Sequence, residues 1–244
     1  MMMSSHRLNS PLQVQRANLD KLQRKRILFL SLEGAVTEKK YFEFLNYKIQ
    51  KERYDIIISI KVVERKKKDG KSSIWDVFSR LVDSKNREGN LDDDYFAVVL
   101  DRDKRSHSEE CLREILHLCR QEGYEFYLTN PCFEFWLLMH VCSIKENYID
   151  LDLFLENAKV SSKHTYTSKE LSNIVLHSKN IPLGVFDNKY FPNIPKAVEQ
   201  AKTFAKSPED LFTSIGSNLY KLMEIIGISN KQETIVLEDS APDC

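Results

Sequence analysis

Acidic residues directly follow two apolar stretches of this chain, and together they could bind a divalent metal ion. Residues 27–32 end at Glu33, and residues 95–100 end at Asp101 and Asp103. Because side chains of a strand repeat every two residues, the two aspartates leave the chain on the same side. Carboxylate oxygens are ligands that Mg²⁺ prefers. A metal ion held here could stabilise charge on a phosphodiester and activate water.

The elements around these acids predict an α/β fold. Apolar or β-branched stretches at residues 27–33, 55–63, 95–100 and 124–129 are typical of strands, and helical patterns separate them. This alternation predicts a mostly parallel sheet of about four strands flanked by helices, with right-handed crossovers. Open sheets of this kind bind ligands at the carboxyl ends of their strands. Glu33 and Asp101 are therefore expected at one edge of the sheet, although aspartate is also common there simply because it favours turns.

The pattern changes along the chain and predicts four regions. Residues 1–24 are polar and predict a flexible N-terminal arm, and residues 25–141 carry the α/β alternation. Residues 142–228 show irregular helical patterns and predict a helical C-terminal region. Residues 229–244 are polar and predict a flexible tail.

Composition limits the class of protein but not its ligand. The 244 residues contain 36 Lys+Arg and 36 Asp+Glu, so the formal net charge is zero and any nucleic-acid surface must be local. Neither a signal peptide nor a membrane span is visible, and the five cysteines form no C-x-x-C pair. We expect reduced thiols in a cytoplasmic protein that does not enter a membrane. No P-loop motif for ATP is present.

Three further polar residues could support the acids. Glu38 lies in the first turn of the helix predicted from Thr37, and Glu134 and His140 interrupt a strongly apolar helical stretch. An acid in such a stretch costs free energy unless it is paired. Glu134 and His140 are too far apart for an i,i+4 metal pair. They either assist the site or belong to a structural polar network.

Basic residues near the predicted strand ends could bind substrate phosphates. Lys66, Lys67 and Lys68 follow the second strand, while Arg102 and Lys104 bring positive charge to the acidic motif. Charge runs are usually exposed loops. The alternative, a clamp for nucleic-acid phosphates beside the metal, is equally consistent with the position of Lys66–Lys68.

The arrangement resembles a known family. The resembling residues are Ile27-Leu28-Phe29 through Glu33-Gly34, Thr37-Glu38, Tyr41-Phe42, Asp101-Arg102-Asp103, Asn130-Pro131-Cys132-Phe133-Glu134, Trp136, Leu137, Leu138 and His140. Strand, Glu-Gly, helix and a later Asp-x-Asp look like the Toprim domain, and the whole set resembles the RloB family of bacterial anti-phage loci.

This resemblance implies a Toprim-like metal nuclease fold, often encoded beside an ATPase partner. By position, Glu33 would be the general acid/base or metal-proximal glutamate, and Asp101 and Asp103 the metal pair. The family often has a second acid after the glycine, where this chain has Ala35. Metal binding without that acid is the feature that the resemblance leaves open.

Two hypotheses follow. The first is a Mg²⁺- or Mn²⁺-dependent nuclease acting on RNA or DNA, an effector of anti-phage defence controlled by the ATPase, with homo-oligomers also possible. The second is a non-catalytic Toprim-like module that binds or regulates within a defence complex, which Ala35 and the neutral charge favour. Primase-like or topoisomerase-like chemistry is a weaker third option, because the chain is too short for the accessory domains.

Overall fold

The fold is described from a computed structural model, which describes residues 25–52, 56, 58–65, 73–88, 93–103, 107–176 and 180–229. The expected N-terminal arm at residues 1–24 and the expected tail from residue 230 lie outside these ranges. The same is true of the basic residues Lys66, Lys67, Lys68 and Lys104.

Within the described ranges, a sheet of five strands forms the centre of the fold. The strands are β1 (Arg26–Leu32), β2 (Ile58–Val62), β3 (Tyr95–Asp101), β4 (Glu125–Asn130) and β5 (Gly216–Ser217). Their order is β2-β1-β3-β4-β5; the first four are parallel, and β5 runs antiparallel to β4. The prediction of a mostly parallel α/β sheet is confirmed. β5 has no counterpart in the sequence analysis, because two residues carry no readable periodicity.

Helices connect the strands and then build the C-terminal part. They are α1 (Thr37–Glu52), α2 (Ile74–Glu88), α3 (Glu109–Glu122), α4 (Phe133–Val141), α5 (Ile144–Asn147), α6 (Asp152–Glu156), α7 (Tyr166–Val175), α8 (Leu183–Val185), α9 (Ile194–Ala201), α10 (Pro208–Leu211) and α11 (Leu219–Ile226). Between α8 and α9 the chain is π-helical and then 3₁₀-helical. The first three helices are the crossovers that parallel strands require.

The sheet is covered on both faces, so successive residues of its central strands β1 and β3 are buried. Leu28 and Leu30 of β1 pack in a core with α1 and the C-terminal helices. Phe29, between them in sequence, packs in a second core with α2 and α3. Alternate residues of one strand thus serve opposite faces.

Helix α4 is buried on almost every side, and Glu134 is its only partly exposed residue before Val141. The helix begins at Phe133 with Cys132 at its N-cap. Pro131 precedes the helix, and its peptide bond to Asn130 is cis. β4 continues through Asn130, which pairs with Gly216 of β5.

None of the helices in the described ranges is long and apolar enough to cross a membrane.

Candidate functional site

Glu33 and Asp101 meet at the carboxyl edge of the sheet, as the sequence predicts. Their strands are neighbours, with Leu32 in register with Val99. The backbone N–H of Glu33 donates to the Val99 carbonyl at 3.0 Å. The Glu33 carboxylate in turn accepts the backbone N–H of Asp101 at 3.0 Å, although 68 positions separate the two residues in sequence. Parallel pairing of β1 and β3 therefore brings the two acids together.

His107 is the second partner of Glu33, and the sequence analysis did not identify it. Its Nε2 lies 2.8 Å from Oε1 of Glu33, and the two side chains are 9% and 14% exposed. The hydrogen bond to Glu33 raises the pKa of His107 above its usual value, against the opposing effect of burial. A lone histidine between polar residues has no distinguishing local pattern. The one sequence signal that could have identified His107 is its position four residues after Asp103.

Glu38 lies directly over Gly34 and closes the turn after β1. A Cβ on Gly34 would lie 1.4 Å from Oε2 of Glu38, so only glycine leaves room for this carboxyl group. Burial raises the pKa of Glu38 to about 7, and the charges of Glu134 and Glu33 raise it as well. Glu38 is therefore electrostatically part of the acidic group, but its side chain is buried against Gly34 and does not line the cleft.

Like charges crowd around Asp101. Desolvation raises its pKa well above the usual value, and the charges of Glu38, Glu33 and Glu134 raise it further. The backbone of Phe133, at the start of α4, donates a hydrogen bond that opposes this shift. A buried group of acids that repel one another is an arrangement that protons or a cation would stabilise.

A cleft of about 620 Å³ opens above these acids. Among the described residues, the acids that line it are Glu33, Asp101, Asp103 and Glu134. Cys132 also lines it, and burial together with the charges of Glu134 and Asp101 raises the pKa of its thiol. That thiol is protonated and unsuited to act as a nucleophile.

Besides Glu38, two other predicted residues do not line the cleft. His140 is buried, contacts the hydroxyl of Tyr41 at 3.1 Å and the carbonyl of Trp136 at 2.9 Å, and belongs to the core around α4. Burial lowers its pKa to about 3, so it is neutral. Arg102 is also buried, and its guanidinium donates to the carbonyls of Phe212 and His107 at 2.7 and 3.0 Å. Substrate binding by Arg102 stays a prediction, and these contacts favour a structural role.

The opposite wall of the cleft comes from the C-terminal part of the chain. It consists of Asn157, Lys159, Ser162, Lys163, His164, Thr165 and Ser168. The sequence analysis did not assign any of these residues to the site, because no local pattern links them to Glu33, Asp101 and Asp103, which precede them by more than 50 positions.

A second cleft, of about 570 Å³, lies beside the first strand end. Arg65 and Arg80 line it, and both donate to the carbonyl of Leu32, at 3.4 and 3.0 Å. Arg65 is followed in sequence by Lys66–Lys68, which lie outside the described residues. Ala35 faces a third cleft together with Lys39 and is not among the residues that line the acidic one.

The ligand type of these acids suits a hard divalent cation such as Mg²⁺. Hard carboxylate oxygens and mutual repulsion both favour a divalent cation. In the described ranges, however, no three His, Cys, Asp or Glu side chains converge to hold a metal ion. Mg²⁺ usually takes only one or two protein carboxylates and completes its shell with water and phosphate. The donor set is therefore adequate for such an ion but not for a closed protein cage.

Comparison with known proteins identifies a family. The family described as RloB-like protein matches residues 28–226, which cover both the α/β core and the C-terminal helices. No curated protein and no solved structure matches the chain significantly.

Proposed function

The chain belongs to the RloB-like family, and from that premise and the acidic cleft we propose that it is a metal-dependent nuclease. Its substrate is a phosphodiester of RNA or DNA, and its cation is Mg²⁺ or Mn²⁺. The proposed setting is bacterial anti-phage defence, in the cytoplasm, under the control of an ATPase partner. That restraint is expected, since an unregulated nuclease would damage its own cell.

One observation carries the proposal. Glu33, Asp101 and Asp103, which lie at the ends of neighbouring parallel strands, line one cleft together with Glu134. Acids at the carboxyl edge of an open sheet occupy the position where α/β folds bind ligands. The raised pKa of Asp101, caused by burial and by its acidic neighbours, supports a functional arrangement, because perturbed titrating groups in clefts are concentrated at active sites.

Each residue has a role in this proposal. Asp101 and Asp103 would hold the metal ion, and Glu33 would act beside it as general acid/base or as a further ligand. A bound metal ion would supply charge stabilisation for the phosphodiester and a more acidic water. His107 orients the Glu33 carboxylate through their 2.8 Å contact. Glu38 and Glu134 maintain the negative potential of the site.

The experiment is cleavage of mixed RNA and DNA by the purified protein with Mg²⁺ or Mn²⁺. Glu33→Gln and Asp101→Asn should each abolish cleavage. Glu43→Gln is the matched control, because Glu43 is an exposed acid on α1 whose ion pair with Lys39 is on the surface. Equal cleavage by wild type and both site variants would remove the proposed roles.

A non-catalytic module is the second candidate, and one observation favours it. Both oxygens of Glu33 already have partners, His107 and the N–H of Asp101, and a satisfied carboxylate can serve as structural support alone. Calorimetry separates the candidates. Measurable Mn²⁺ binding that Asp101→Asn removes supports the nuclease, whereas no binding together with a tight ATPase complex supports the module.

A further inference from the structure

The wall opposite the acids is a short hairpin that carries positive charge. Lys159 and Thr165 form an antiparallel bridge, and the carbonyl of His164 accepts the N–H groups of Val160 and Ser161. The hydroxyl of Ser161 accepts the N–H groups of residues 163 and 164, at 3.2 and 3.0 Å. The hairpin is therefore ordered by its own hydrogen bonds.

Asn157 attaches this hairpin to the acidic side of the cleft. Its amide donates to Sγ of Cys132 at 3.6 Å, and its carbonyl oxygen accepts the N–H of Thr167 at 3.0 Å. Cys132 caps α4, the helix that carries Glu134. The basic wall and the acids are thus connected through one side chain, so their separation is set by direct contacts.

The basic side chains of the hairpin are accessible to a ligand. Lys159 and Lys163 are exposed, His164 is half-buried, and all three line the cleft. None of them forms an ion pair within the described residues. Two lysines without an ion pair among the described residues, in a cleft that they share with four acids, suit the phosphates of a substrate.

The lining also indicates how a nucleic acid would be read. Apart from the acids, the described residues of the lining are polar or basic, with Cys132, and they include no Phe, Tyr or Trp. The bases of a strand therefore find no aromatic ring to stack on among these residues. Hydroxyl groups of Ser162, Thr165 and Ser168 and the two lysines can contact phosphate and sugar instead.

We propose that the hairpin at residues 159–165 is the phosphate-binding wall of the cleft, and that it holds a nucleic-acid strand by its backbone without reading base sequence. This inference rests on the proposed nuclease function and names the side of the site that binds the substrate. The acids would hold the metal ion beside the scissile phosphate, and Lys159 and Lys163 would contact phosphates of the same strand.

The test is fluorescence anisotropy with labelled single-stranded RNA and DNA of three base compositions, in Ca²⁺ as the metal ion. The proteins are the full chain, Lys159→Ala/Lys163→Ala, and the control Lys189→Ala/Lys206→Ala. The control lysines are equally exposed, form no ion pair in the described residues, and do not line the cleft. Circular dichroism should show all three proteins to be folded alike.

Loss of the cleft lysines should weaken binding roughly tenfold for every base composition. The slope of log affinity against log salt should become shallower by about 1.4, since each phosphate contact to a single strand contributes about 0.7. The control should match the wild type. Tighter binding of RNA than of DNA, or the reverse, would identify the type of nucleic acid bound, and it would support the phosphate-binding hairpin equally.

Three results would contradict the proposed phosphate-binding role of the hairpin. They are unchanged affinity in Lys159→Ala/Lys163→Ala, affinity that varies more than about tenfold with base composition, and no strand binding by the wild type. The outcomes also separate the two proposals. Binding through these lysines without any cleavage keeps the wall and removes the nuclease. Cleavage by the wild type, with unchanged strand binding in Lys159→Ala/Lys163→Ala, keeps the nuclease and removes the phosphate-binding hairpin.

Discussion

Nε2 of His107 lies 2.8 Å from Oε1 of Glu33, across 74 positions of sequence. This contact and the N–H of Asp101 at 3.0 Å occupy both oxygens of the carboxylate. Glu33 is therefore held in one orientation at the edge of the sheet, beside Asp101. In the proposed nuclease, such a partner positions the acid and does not itself touch the reacting atoms.

Removing the imidazole should weaken the site without dismantling the fold. His107→Ala should lower both Mn²⁺ affinity and cleavage by about 10–100-fold, the usual cost of losing a group that orients a metal-site residue. His107→Gln should restore part of the loss, because an amide can still donate to Glu33. His117→Ala is the control, since His117 is exposed on α3. Calorimetry with Mn²⁺ gives a readout independent of cleavage, and equal affinities in all four proteins would contradict the role.

A divalent cation should stabilise the protein against heat. Mg²⁺ or Mn²⁺ at 100 times its dissociation constant should contribute about 2.7 kcal/mol to the free energy of unfolding. Asp101→Asn should remove this effect. Without metal the same variant should be at least as stable as the wild type, because it deletes a charge that Glu38, Glu33 and Glu134 repel. Thermal melts with and without metal check both statements, and an equal metal shift in wild type and variant would exclude Asp101 as a ligand.

Glu38 should make stability fall as pH rises. Its pKa is raised from 4.5 to about 7 by burial and neighbouring acids. The folded state thus holds the proton more tightly than the unfolded state. The resulting stabilisation is complete below about pH 4.5 and is lost as pH rises through about 7.

Glu38→Gln is the variant that isolates this effect, since it cannot ionise. The free energy of unfolding of Glu38→Gln should exceed that of the wild type by an amount that grows from pH 4.5 to pH 7. The difference should reach about 3 kcal/mol, at 1.36 kcal/mol per pKa unit. Urea unfolding across this range, with metal removed, measures the difference. Glu43→Gln on the exposed face of the same helix should show no such trend. A difference for Glu38→Gln that does not change with pH would refute the assignment.

Arg102 should matter mainly for stability. Its buried guanidinium donates to the carbonyls of Phe212 and His107, and so ties the segment before β5 to the end of β3. Arg102→Lys cannot reproduce the two-pronged contact, and we expect a loss of about 2–4 kcal/mol. Arg87→Lys should cost under about 0.5 kcal/mol, because the exposed Arg87 side chain donates, among the described residues, only to the Asp83 carbonyl at 3.2 Å on the surface of α2. Urea unfolding compares them, and similar small losses would show that Arg102 is not an anchor.

Local patterns determined much of the fold and part of the site. Apolar runs ending at Glu33 and Asp101 indicated buried parallel strands, and Thr37 indicated the start of the helix α1. These features depend on period and turn chemistry within a few residues, so a single sequence displays them. The placement of both acids at one sheet edge followed from strand polarity alone.

The tertiary structure determined which distant residues contact each other. His107 on Glu33, Asn157 on Cys132 and the lysines of the hairpin all join positions far apart in the chain, and no local periodicity encodes such pairs. The same holds for β5, whose two residues become a strand only because β4 offers an edge. The sequence alone thus determined which residues could carry charge and where strands end, whereas long-range packing decided which charges share a cleft and which, like Arg102, are buried against backbone carbonyls.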